Sequence, residues 1–228
     1  MKIWKLLLLA SPLLVLAESP ALASEPGTWT LRAGVGVVEP KSNNLVFSDG
    51  VDTLQIDVDS GTSMTLSATY MFSRNWAFDI LASWPFSHDI NATAVGAGPG
   101  IDGVPVKIAE TTHLPPTFSV QYHFLPDGTF QPYAGIGLNW TTFFDTNVVS
   151  ELVAEGVEDL ELDDSFGFAG QLGADWMLNE KWLLNVDVRW INIEADATLS
   201  GTAFGGSVDI GTVKVDPWVY ALNIGYRF

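Results

Sequence analysis

The chain has 228 residues, carries a formal net charge of −17 at pH 7, and contains no cysteine. The missing thiols exclude disulfides, thiolate metal ligands and a lipid anchor on an N-terminal cysteine, and the negative charge makes nucleic acid and anionic membrane surfaces poor partners. Only 16% of the residues are charged, against about 25% in a soluble domain. We therefore expect something other than water to solvate part of the surface.

The first 23 residues have the layout of a secretory signal peptide. Lys2 and Lys5 form a basic start, an apolar run follows over 6–17, and Ala21-Leu22-Ala23 is a small-x-small cleavage signal. The run is shorter than the roughly 20 apolar residues of a membrane-spanning helix, and no later stretch reaches that length. We predict that 1–23 is cleaved on export and that 24–228 forms a single domain.

The rest of the chain repeats one pattern, in which large apolar residues stand at every second position with small or polar residues between them. Successive side chains of a β-strand point to opposite faces, so each repeat predicts a strand with one apolar face. Eight such segments occur, at 29–37, 63–72, 76–84, 117–124, 134–140, 168–176, 182–190 and 220–228. Their lengths approach the roughly nine to eleven residues that a tilted membrane strand needs.

The connections between these segments alternate in length. Three are short: 73–75, "LPDGT" at 125–129 and "LNEK" at 178–181. The others run through long stretches rich in glycine and acidic residues near 41–60, 89–113, 145–164 and 197–212. Short periplasmic turns and long extracellular loops are typical of outer-membrane barrels. The sequence therefore predicts an all-β fold, an eight-stranded antiparallel transmembrane β-barrel in the bacterial outer membrane.

The tryptophans are consistent with this register. Four fall at the turn end of the predicted strands and four at the loop end: Trp29, Trp76, Trp176 and Trp182, then Trp84, Trp140, Trp190 and Trp218. Two aromatic girdles at the membrane interfaces would give this arrangement. We expect the apolar rows to face lipid.

Several long segments resemble the OmpW family of small outer-membrane proteins. The matching stretches are "WPFSHDI" (84–90), "ETTHLPPT" (110–117), "PYAGIGLNWTTFFD" (132–145), "LDDSFGF" (162–168), "DVRWINIEADA" (187–197) and "DPWVYALNIGYRF" (216–228). The resemblance implies an eight-stranded barrel with a narrow, largely apolar interior that is proposed to pass small hydrophobic molecules. The terminal Phe228 also resembles the signal that the outer-membrane assembly machinery reads.

The resemblance further suggests a pinch in the lumen. Its candidates are Leu81 on the third predicted strand and the inward residue at position 189 on the seventh. Here that second residue is Arg189, where a hydrophobic gate would favour a large apolar side chain. This departure argues against a purely apolar gate.

The predicted inward face carries charged and titratable residues, namely Arg32, Asp79, His123, Asp175, Asp187, Arg189 and Arg227. An eight-stranded barrel has an interior that side chains can fill or that holds one small ligand. Because an unpaired buried ion is costly, we expect these charges to pair. They form either a structural salt-bridge plug or a polar floor beneath an apolar cavity.

Three prolines suggest a sideways route out of the lumen. Pro85 lies near the loop end of the third predicted strand, and Pro115 and Pro116 lie near that end of the fourth. Proline removes a ladder hydrogen bond, and it is usual at strand ends, edges or bulges. These residues either simply begin and end strands or mark a lateral opening into the membrane.

A catalytic site is not indicated. Ser119 and His123 are both predicted inward on one strand, but about 13 Å apart, too far for a nucleophile and its base. His88 and His113 have no clear partner, and no Gly-x-Ser-x-Gly elbow occurs. We expect no enzyme, no metal and no cofactor.

The acidic stretch 150–164 is the main feature of the predicted loops. It holds seven carboxylates and has partly helical spacing. It is either a solvated loop or, beside lipopolysaccharide phosphates, a place for divalent cations.

We expect a monomer surrounded by outer-membrane lipids and lipopolysaccharide. Its predicted function is to carry a small apolar solute, and the alternative is a surface receptor that acts through its loops.

Overall fold

The structure is a computed structural model of the chain. It describes residues 25–48, 53–96 and 102–228. The predicted signal peptide, 1–23, lies outside the described residues. None of the described helices is long and apolar enough to cross a membrane.

Eight strands form the barrel: β1 (Trp29–Glu39), β4 (Gly61–Met71), β5 (Trp76–Ser83), β8 (Thr117–His123), β9 (Phe130–Val148), β11 (Ser165–Met177), β12 (Trp182–Ile191) and β15 (Trp218–Arg227). Seven more lie at the extracellular end: β2 (Leu45–Ser48), β3 (Thr53–Val58), β6 (Phe86–Val95), β7 (Pro105–Leu114), β10 (Asp159–Leu162), β13 (Glu194–Gly201) and β14 (Gly206–Lys214). The short helices are α1 (Ser150–Ala154) and the 3₁₀ turn η1 (Thr202–Phe204).

The barrel closes through its first and last strands. Each barrel strand pairs antiparallel with its neighbours, and β15 pairs with both β12 and β1. The closing seam pairs Val35 with Leu222 and Leu31 with Tyr226. Closure leaves no open strand edge, which hydrocarbon would not tolerate. The predicted eight-stranded antiparallel barrel is confirmed.

The predicted faces are also confirmed. On the outward rows Ile136 is 77% exposed and Leu172 is 66% exposed, whereas the inward Ala77 and Asp79 are buried. At the turn end the ring of Trp29 lies 4.8 Å from that of Tyr70, and Trp182 lies 4.9 Å from Tyr226. An apolar outer band with aromatic borders fits a lipid environment.

The long stretches at the extracellular end, predicted as loops, contain strands. β2, β3, β6 and β7 extend the main sheet beyond the girdle, and β10, β13 and β14 form a second sheet. The backbone of Lys214 donates to the carbonyl of Asn44 over 2.9 Å, and the Asn44 amide donates back to the Lys214 carbonyl over 2.8 Å. These bonds join the edges of the two sheets. The apolar sides of both sheets face inward and form one core cluster.

Candidate functional site

An apolar cavity of about 380 Å³ lies between the two extracellular sheets. Each strand around it contributes every second side chain to its wall, because inward and outward residues alternate. Its walls include Leu45, Ile56, Ile90, Ala197, Ile210 and Val213. Leu152 and Val157, from the acidic stretch, also face it. This stretch therefore contributes apolar wall as well as charge.

A buried network of charges closes the barrel below this cavity. Arg32 donates from Nε to Asp175 Oδ1 over 2.9 Å and from Nη2 to Asp175 Oδ2. Its Nη1 donates to Thr69 and lies 3.9 Å from Asp79 Oδ1. A bidentate arginine–carboxylate pair of this kind is among the stronger charge contacts in proteins. It connects β1 with β11, across β12 and β15, which lie between them in the barrel.

Arg189 belongs to the same network. Its Nη2 lies 2.8 Å from Asp79 Oδ2 and its Nε lies 2.7 Å from Asp187 Oδ1. Leu81 and Arg189 line a small cavity of about 10 Å³, which holds no more than about one water. The lumen at this level is filled, and the predicted Leu81–Arg189 gate stays a prediction.

Neutral side chains satisfy the remaining carboxylate oxygens. Tyr133 donates its hydroxyl to Asp187 Oδ2 over 2.7 Å, and Gln171 donates to the same atom over 2.6 Å. Asn185 donates to Asp175 Oδ1 over 2.8 Å. Tyr133 was not among the residues predicted for the network, although its position next to the outward Ala134 places it on the inward face. The network is fixed by polar groups from several strands.

The remaining predicted plug residues have other contacts. His123 meets Gln121 Oε1 through Nε2 over 3.1 Å, and its ring lies 5.1 Å from that of Tyr133. Arg227 donates to Gln131 Oε1 over 2.7 Å. The hydroxyl of Ser119 has no hydrogen-bond partner in the described part of the chain. Ser119 and His123 are therefore not arranged as a nucleophile and base.

The ladder between the third and fourth strands of the barrel is interrupted beside the three prolines. Leu81 pairs with Thr117 and Phe86 pairs with His113. Between these pairs, residues 82–85 and 114–116, all of them described, form no ladder pair with each other. On the other side of the fourth strand the ladder continues, because Trp140 donates its backbone N–H to the Pro116 carbonyl over 3.1 Å.

The missing donors can be assigned to sides of the strands. In an antiparallel sheet, the hydrogen-bonding groups of successive residues point to opposite neighbours. Trp84 bonds toward β4 and Pro116 bonds toward β9. The nitrogen of Pro115 is therefore assigned to the side of the interrupted seam. Pro85 follows a bend at Trp84, outside any strand, and its carbonyl accepts from the Ser63 hydroxyl of β4 over 3.3 Å, so the alternation assigns no side to its nitrogen.

A histidine pair lies in the cavity wall just beyond that seam. The imidazoles of His88 and His113 stack with centroids 4.8 Å apart and planes inclined by 20°, and Phe86 and Phe143 pack beside them. His88 Nδ1 donates to the Asp59 carbonyl over 2.6 Å. A Cβ on Gly61 would lie 2.6 Å from the His88 ring, so the close packing here requires glycine.

Burial keeps both imidazoles neutral. It lowers the pKa of His113 to about 3, with a further lowering from the neighbouring His88. Burial also lowers the pKa of His88, partly offset by the Asp59 carbonyl and by the charges of Asp59 and Asp89. Both residues lie on the extracellular side of Trp84, beyond the membrane-spanning part.

We expect the extracellular strands to lose stability in acid. An unfolded histidine has a pKa of about 6.5, so below that pH the unfolded chain binds more protons than the folded one. Stability therefore falls as the pH drops from about 6.5 toward about 3. Amide hydrogen exchange of β6 and β7, corrected for intrinsic rates, should be faster at pH 4.5 than at pH 7.5. His113→Phe should reduce this difference, and equal protection at both pH values would contradict the prediction.

The chain is similar to known outer-membrane proteins along almost its whole length. A family model described as "OmpW family" matches residues 25–228. The chain is 42% identical over 219 residues to outer membrane protein W of Vibrio cholerae serotype O1, and the match covers 95% of each chain. The crystal structure of the outer membrane protein OprG from Pseudomonas aeruginosa has a TM-score of 0.80 and 35% identity, covering 91% of this chain and 99% of that one.

A more distant relative is named after a metabolic operon. The chain is 26% identical over 222 residues to the dibenzothiophene metabolism operon protein PahQ of Pseudomonas aeruginosa, and the match covers 96% of this chain and 97% of PahQ.

Proposed function

Since this chain belongs to the OmpW family of outer-membrane proteins, we propose that it carries small apolar molecules from outside the cell into the outer membrane in which it lies. The observation that supports this function is the apolar cavity of about 380 Å³ at the extracellular end. Its volume lies within the range of small-molecule sites, about 300–1,000 Å³. Transfer of an apolar solute from water to such a wall is favourable in proportion to the area it buries.

The buried charges argue against passage straight through the barrel. To reach the periplasm, a solute would have to displace Arg32 and Arg189 from the carboxylates they contact. Separating buried ion pairs costs several kcal/mol, and an apolar solute offers the charges nothing in return. The interrupted seam beside Pro85 and Pro115 provides the alternative, a sideways exit into lipid.

One relative is consistent with this class of solute. The name of PahQ refers to the metabolism of dibenzothiophene, which is a fused-ring apolar compound. For this chain we propose only the class of small apolar molecules.

The test compares two neighbouring positions on β2. Leu45 lines the cavity, whereas Val46 is 59% exposed. Leu45→Asp places a carboxylate in the apolar wall and should reduce influx of N-phenyl-1-naphthylamine into vesicles with a lipopolysaccharide outer leaflet to the rate of protein-free vesicles. Val46→Asp, which adds the same charge outside, should leave influx unchanged. Equal influx in both variants and the parent protein would contradict the proposal.

A surface interaction through the extracellular strands is the second candidate function. An open groove of about 450 Å³ is lined by Asp145, Asp159, Glu161, Asp163 and Asp164, and such a surface would favour a cationic partner. If no variant of the cavity wall changes influx, this function becomes the stronger one.

The faces of the barrel support a proposal for its partners. We propose that it works as a monomer surrounded by outer-membrane lipids and lipopolysaccharide, and that it performs no catalytic step. We also propose that Phe228, which is 67% exposed, serves as the assembly signal.

A further inference from the structure

The histidine pair contains more unsatisfied polar groups than an apolar wall explains. His88 and His113 are 2% and 3% exposed, and both line the cavity. Of their four ring nitrogens, only His88 Nδ1 has a hydrogen bond within the described part of the chain, to the Asp59 carbonyl. Buried polar atoms in native proteins are almost always paired, so the buried, unpaired His88 Nε2 beside the unbonded ring of His113 requires an explanation.

The chemistry of these nitrogens defines what would satisfy them. A carbonyl oxygen only accepts, so His88 Nδ1 carries the proton and His88 Nε2 is an acceptor. A neutral His113 offers one donor and one acceptor. A hydroxyl group can donate and accept at once, which a hydrocarbon cannot do. Because both imidazoles are neutral at pH 7, the pair provides no cation for a carboxylate.

The geometry determines which nitrogens a ligand reaches first. His88 Nε2 is enclosed and lies against Gly61, where a Cβ would be 3.0 Å away. His113 lies between His88 and Phe143, and its ring makes no hydrogen bond to any of the described residues. A hydroxyl in the cavity would therefore bond to His113 first, with His88 beside it.

We propose that the cavity selects apolar molecules that carry one hydroxyl group, such as phenols and fused-ring alcohols, and that His113, supported by His88, binds that hydroxyl. This rests on the proposed function, because it names the solute class of the same cavity. The apolar walls hold the hydrocarbon part, and the histidine pair fixes its orientation with the hydroxyl toward the seam.

The test uses two ligands that differ by one hydroxyl, naphthalene and 1-naphthol. Binding is measured at pH 7 by equilibrium dialysis against the protein in lipid nanodiscs, with empty nanodiscs to correct for partition into lipid. In the parent protein, the hydroxyl should improve corrected affinity about 10-fold, the effect of roughly one hydrogen bond. 1-Methoxynaphthalene, which accepts but cannot donate, should gain less than 1-naphthol.

Two variants separate a role in binding from a general effect on the wall. His113→Phe keeps an aromatic ring without nitrogens and should bind naphthalene while losing the preference for 1-naphthol. Thr111→Val is the matched control, because Thr111 lines the same cavity but bonds to Thr146; it should retain the preference.

The outcomes distinguish this inference from the proposed function. If the parent protein binds naphthalene and 1-naphthol with equal corrected affinity, the proposed hydroxyl preference is wrong, but the proposal that the cavity binds apolar molecules is unaffected. If it binds neither, the proposed function fails. The comparison among the three ligands in the parent protein requires no variant, so it remains decisive if His113→Phe does not fold.

Discussion

Replacing Arg32 by methionine should lower the free energy of unfolding by about 3 to 5 kcal/mol. Arg32 bonds to both oxygens of Asp175 and lies 3.9 Å from Asp79, and all three side chains are buried. The variant leaves the Asp175 carboxylate inside the barrel without its main counterion, whereas Asp79 keeps its contact with Arg189. The cost is the desolvation that the arginine had offset. Urea unfolding of the protein in lipid vesicles would measure it.

Two further variants identify the cause of this loss. Arg32→Met combined with Asp175→Leu removes both partners, and it should recover much of the lost stability because no unpaired charge remains. Lys41→Met breaks the exposed contact with Asp216, 2.6 Å long with the lysine 41% exposed, and should cost less than about 1 kcal/mol. If Arg32→Met and Lys41→Met have equal effects, the buried network does not stabilise the barrel as described.

Replacing Pro85 and Pro115 together by alanine should slow solute influx about 10-fold. Pro115→Ala restores an N–H that points across the interrupted seam, and Pro85→Ala restores one at the bend that follows β5. One or two new hydrogen bonds at about 0.5–1.5 kcal/mol each would reduce the open population by about that factor. The measurement is the same dye influx into vesicles with a lipopolysaccharide outer leaflet. Dye binding should persist, because the cavity wall is unchanged.

Pro116→Ala is the matched control for the seam. Its carbonyl accepts from Trp140, so its restored N–H points toward β9 and away from the seam. Influx should stay at the parent rate. If Pro116→Ala slows influx as much as the Pro85/Pro115 double variant, the effect is a general one on strand stability and the seam is not the exit.

The register of the barrel could be predicted from the sequence because it depends on local information. In each strand, lipid on one face and a packed lumen on the other impose a period of two, so rows such as Tyr220, Leu222 and Ile224 identify the outward face by themselves. The same parity placed Arg32, Asp79 and Arg189 inside. The tryptophans marked the two membrane borders because amphipathic rings favour the interface.

The extracellular strands could have been predicted from the same alternation of apolar residues. Leu54, Ile56 and Val58 on β3 and Ala195, Ala197 and Leu199 on β13 alternate as the membrane strands do. Their glycine- and acid-rich surroundings favoured an interpretation as loops. Because their outward face meets water, they lack the large apolar rows that marked the barrel strands.

The sequence by itself thus determined the number of barrel strands, their faces, the lipid boundary and the family. Only the tertiary structure decided which inward groups meet: Arg32 with Asp175, 143 positions apart, Arg189 with Asp79 across the lumen, and His88 stacked on His113. The apolar cavity likewise required two separate sheets to close over each other. The physical reason is that the alternation of side chains along a strand fixes the face of each residue locally. Contacts across a barrel depend instead on the stagger of the strands and on the length of the side chains that meet, and the sequence of one strand does not determine these.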